Sequence, residues 1–146
     1  MSGWPWFLQL AEWAVSGMFA VWPVTVSLLV GATICALLAV RRRQKLPWSR
    51  LATQVALLLV PVIALALGAA YACQNCSPSA LGQGVRHYAA LSVVDGLLLL
   101  QLVWAAWFVC STRGFRILAA FIQASLLWCS YWAACMAGMS ISGDWL

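Results

Sequence analysis

The chain has 146 residues, is 65% hydrophobic and only 8% charged, and carries a mean hydropathy of +0.94. This composition lies outside that of ordinary soluble domains, and the apolar blocks leave little chain for one. A net charge of +5 would raise the question of nucleic acid in a soluble protein. Here the basic residues stand beside apolar runs, where topology and anionic headgroups account for them, and no nucleic-acid partner is expected.

The N-terminal segment crowds Trp4, Trp6, Phe7, Leu10 and Trp13 ahead of the first long apolar block. Pro5 behind Trp4 predicts an extended or interfacial start. The segment has neither a basic n-region nor a small-residue cleavage site, so it is expected to be retained. Four apolar blocks follow: Trp13–Val40, Leu51–Tyr71, Tyr88–Ser111 and Ile117–Ile141, interrupted by a single charge, Asp95. Each reaches the about 20 residues needed to cross a bilayer core as a helix. Lipid offers the backbone no hydrogen-bond partner, so the blocks must be helical. The prediction is an all-α integral membrane protein, one domain over 1–146. Four transmembrane helices, at about 13–40, 51–72, 87–111 and 116–141, form two helical hairpins.

In the first block Pro23 leaves the Phe19 carbonyl without its helical donor, and in the second Pro61 does the same to Leu57, so both helices should kink. Trp22, Trp128 and Trp132 fall at mid-block positions, where a buried indole needs a partner for its N–H. They fit either packing or a pocket opened by the kinks. Close helix approach is expected at the small pairs Gly31/Cys35, Ala64/Gly68, Ala120/Ala124 and Ala134/Gly138.

Seven of the eight basic residues lie in the first and third connections: Arg41, Arg42, Arg43, Lys45 and Arg50, then Arg113 and Arg116. The second holds only Arg86. This asymmetry predicts a multi-pass protein of the cell inner membrane. Loops 41–50 and 112–116 are then cytoplasmic, and both termini and the Cys73–Arg86 loop lie outside. Trp4–Trp13 with Trp145 form an outer aromatic belt, and Trp48 and Trp107 an inner one.

Three sets of residues bear on chemistry. Asp95 is expected as a buried polar residue of the third helix, roughly 10 Å below the outer surface at 1.5 Å per residue. A carboxylate there costs about 2.5 kcal/mol or more unless neutral or partnered. Ser92 shares its face, Tyr88 lies two turns up, and Arg86 or His87 stands above. Its alternatives are a structural hydrogen bond or a proton or cation site. Cys73-Gln74-Asn75-Cys76, on an exported loop, has the spacing of a structural disulfide, a redox-active dithiol or a metal pair. Cys73 sits at a helix C-terminus, where the macrodipole disfavours a thiolate. Cys76 precedes Ser77-Pro78, an N-cap and first-turn pair. A quinone-linked thiol oxidase would need a second outer pair. Of the remaining cysteines, Cys35 and Cys110 lie toward the inner side and Cys129 deeper in the last helix, leaving Cys135 alone near the right depth.

The last helix also lines up Cys129, Trp132, Met136 and Met139 in one stripe. Cys135, Met136 and Met139 with His87 would suit copper(I), although a methionine stripe at helical spacing also serves apolar packing. No repeated zinc-type pair, phosphate loop or Ser-His-Asp set can be assembled around one histidine, and His87 stands at an interface, where haem ligation is disfavoured. These features point to a small non-catalytic membrane protein, an accessory or scaffolding subunit of a larger inner-membrane complex. It would carry no cofactor, and its partners would be the bilayer and other membrane subunits. The alternatives are a thiol-redox protein working with quinone through Cys73 and Cys76, and a small transporter or copper-handling protein.

Overall fold

The computed structural model describes residues 4–41, 54–72, 85–112 and 115–142. All of its regular elements are helices: α1 (Trp4–Ala20), α2 (Trp22–Arg41), α3 (Leu59–Ala70), α4 (Val85–Ser111) and α5 (Arg116–Ser142). Every other helix packs on α5. Helix α3 runs parallel to it, since Gln54 meets Gln123 at one end and Gly68 meets Ser140 at the other. The α1–α2 pair runs antiparallel, with Trp6 at Ser140 and Thr25 at Trp128. Helix α5 packs along α4, and between them the Phe115 N–H donates to the Thr112 carbonyl at 3.3 Å.

The first predicted span is corrected. It is not one helix over 13–40. Helix begins at Trp4, with Pro5 in the first turn where its missing N–H is harmless, and the chain then breaks at Val21 with an 85° bend between α1 and α2. Pro23 supplies the break by withholding an N–H from Phe19. The bend far exceeds what a proline alone requires, and side chains hold it. The Thr25 hydroxyl donates to the Met18 carbonyl at 2.7 Å, and the Trp128 indole N–H donates to the same Thr25 oxygen at 3.1 Å. Pro61 leaves a milder mark, a 3₁₀ turn over Ala56–Leu58 directly before α3. Two helices, Tyr88–Ser111 and Arg116–Ser142, are long and apolar enough to cross a membrane. The bent pair makes a third if counted as one span, and Ala56–Ala70 is shorter.

The core lies between α1, α3, α4 and the C-terminal half of α5, and is built largely of alanine: Ala14, Ala64, Ala69, Ala133, Ala134 and Ala137, with Leu10, Leu65, Val94 and Met136. Small residues let these backbones approach closely. A Cβ on Gly68 would lie 2.7 Å from the Ala137 Cα. Ser140 seals the same junction, accepting from the Trp6 indole N–H at 2.9 Å and donating to the Gly68 carbonyl at 2.8 Å, so one hydroxyl ties α1, α5 and α3 together. Beyond the bend, α2 rests mainly on α5, with the Phe121 ring seated against Gly31, and none of its described side chains is fully buried.

Candidate functional site

Three side-chain amides are buried inside the bundle. Gln54, Gln101 and Gln123 come from the segment before α3, from α4 and from α5, and each is at least nine-tenths buried. The Gln123 Nε2 donates to the Gln54 Oε1. The Gln123 Oε1 and both side-chain polar atoms of Gln101 have no partner among the described residues, nor does the Ser130 Oγ further along α5. Neutral amides can exchange hydrogen bonds and fix helix register, as Gln123 and Gln54 do here, but cannot titrate. Sequence reading passed over them because it followed charge. The signal was present, however: each is an amide inside an otherwise apolar run.

Further along α5, Trp128, Tyr131 and Trp132 form an aromatic cluster with ring centroids 5.9–6.1 Å apart. The mid-block tryptophans have three different outcomes. Trp128 donates to Thr25. Trp132 packs its ring against Gly17, and its indole N–H has no partner among the described residues. Trp22 is 62% exposed.

Asp95 is not buried in this chain, contrary to expectation. Helix α4 turns Ala90, Val94, Gln101, Ala105 and Phe108 inward, and Asp95 stands on the exposed side. Tyr88, Ser92, Asp95 and Leu99 follow one another at intervals of four, three and four, which places them on one face. All four are exposed. Gly96 beside them is open as well, with nothing within 4 Å of where its Cβ would be.

The sulfur candidates do not converge. Met136 belongs to the core and Met139 packs against it, the role of apolar fillers. Cys135 is half-buried and lies one turn from Tyr131 on the same helix. His87 lies in α4, but its side chain is outside the described residues, as are Cys73 and Cys76 entirely. Cys35, Cys110, Cys129 and Cys135 are free thiols. Among the described residues, no three of His, Cys, Asp or Glu come together in a metal-binding group.

No protein-family model matches the chain, and neither curated proteins nor solved structures give a match. The reading of its function therefore rests on its own residues.

Proposed function

We propose that this chain is a small polytopic membrane subunit, accessory or scaffolding in role, that works by packing against other membrane proteins in an inner-membrane assembly. The supporting observation is the outward face of α4. Asp95 lies ten residues into a helix of 27, roughly 15 Å along it, within a 24-residue apolar stretch. It points away from α5, as do Tyr88 and Ser92. Hydrocarbon offers these groups neither hydrogen bonds nor countercharge, so intramembrane carboxylates face protein or water-filled cavities. A neighbouring transmembrane segment with hydrogen-bond donors or a positive charge at that depth would serve them. In this reading the loops over 41–50 and 112–116 are cytoplasmic and both termini face outward.

The test is to replace Asp95 with Leu and with Asn in the cell of origin, then extract the chain in mild detergent and measure the mass of what co-migrates. Because Asp95 makes no contact in the core, both variants should keep the stability of the isolated chain. Asp95→Leu should lose the co-migrating subunit, and Asp95→Asn should retain more of it, since the amide keeps shape and most hydrogen-bonding capacity. A native chain that migrates as a monomer carrying only lipid and detergent would overturn the reading.

A further inference from the structure

A groove lies on α5 between α2 and α4. Ile117, Ala120 and Ala124 make its floor, with Leu28 of α2 and Val109 of α4 as walls, and its volume is about 430 Å³. Arg116, exposed at the first position of α5, stands at one end. From Arg116 to Ala124 the floor runs roughly 12 Å, close to the depth of one bilayer leaflet, which is half of a core about 30 Å thick. Everything below the mouth is apolar, and the mouth is cationic.

Arg41 closes α2 near the same end, and in the sequence Arg42, Arg43, Lys45, Arg50 and Arg113 belong to the connections that follow α2 and α4. We infer that this groove holds one acyl chain of an anionic phospholipid, with the headgroup phosphate set against Arg116. Charge complementarity and length select this occupant. A transmembrane helix of a partner would need a groove spanning both leaflets. A second copy would bring another Arg116 and the same basic connections to the same end, where like charges repel. Basic pockets between helices on the cytoplasmic side are a recurring form of lipid recognition.

The assignment rests on the membrane reading of the chain, and the experiment separates the two. The full chain, purified in mild detergent, is titrated with phosphatidylglycerol and with phosphatidylcholine of the same acyl composition, and bound lipid is counted by native mass spectrometry. Phosphatidylglycerol should be retained in preference. Arg116→Gln should lower that preference about fivefold, the effect of one basic residue near an anionic surface, while leaving phosphatidylcholine unchanged. Arg116→Lys should keep it. Ala120→Phe, which fills the floor, should reduce retention of both lipids at unchanged helicity by circular dichroism. An unaltered preference in Arg116→Gln, or undiminished retention in Ala120→Phe, would overturn the assignment, as would a dimer that Ala120→Phe dissociates. A chain embedded in membranes but showing any of these results sinks the groove alone. A chain that remains in the supernatant after membrane sedimentation sinks the membrane reading as well.

Discussion

Two glycines show how far a single position depends on what faces it. Gly68 and Gly96 both lie inside helices, and each costs about 1 kcal/mol of helix propensity against alanine. At Gly68 the methyl of alanine would meet backbone, the Ala137 Cα at 2.7 Å, with the Ala137 Cβ at 3.0 Å and the Leu10 Cδ1 at 3.3 Å. Backbone yields little, so overpacking dominates. Gly68→Ala should destabilise by about 1–3 kcal/mol and loosen the Ser140 junction on the Gly68 carbonyl. At Gly96 nothing opposes the methyl, so Gly96→Ala should stabilise the isolated chain by up to about 1 kcal/mol. Thermal unfolding of both variants in the same detergent checks the pair, and a Gly68→Ala chain as stable as the parent would show that α3 and α5 are not in this register. The Ala64/Gly68 spacing could be read from sequence as a candidate for close approach. Gly96 gave no such signal, and which of the two was needed depended on the neighbouring helix.

At the scale of elements, the bend between α1 and α2 is the feature least expected from the sequence. Pro23 announced a kink, but its size comes from residues distant in the chain: Trp128 donates to Thr25, and Thr25 caps Met18. Replacing Thr25 with Val keeps the shape and removes both hydrogen bonds. The Trp128 indole and the Met18 carbonyl then lose their partner at a cost of about 1–3 kcal/mol, and the bend should open. Spin labels at the exposed positions Leu8 and Ile34, on an otherwise cysteine-free background, would report it. Their separation is about 29 Å for arms of helix rise bent 85° away from straight and would approach about 39 Å in a straight helix. An unchanged distance in Thr25→Val would assign the bend to Pro23 and packing alone.

For the whole molecule, the distribution of basic residues predicts one orientation. Single-cysteine variants probed in intact cells with a membrane-impermeant thiol reagent should label at Ser77 and remain unlabelled at Gln44. Labelling at Gln44 would invert the topology and move the Arg116 end of the groove to the outer leaflet. In the parent chain, probed the same way, Cys73 and Cys76 should react only after reduction if they are paired. Both lie outside the described residues, so this expectation comes from their spacing and compartment alone.

The sequence by itself determined that the chain is helical and where its long apolar stretches lie. Partition between water and hydrocarbon depends on composition, and the need to satisfy every backbone group leaves a single-chain apolar run no alternative to helix. It also marked the two prolines at which regular helix is interrupted. Only the tertiary structure decided which way each side chain faces. Helices α4 and α5 are apolar nearly all round, so no amphipathic stripe reports an inside and an outside. Asp95 and Gln101 sit on the same helix, yet the charged residue is exposed and the amide is buried. That choice follows from shape, in which Gly68 admits Ala137, Gly31 receives the Phe121 ring and Ser140 joins three helices. Such complementarity arises between residues far apart in sequence, where no periodicity records it.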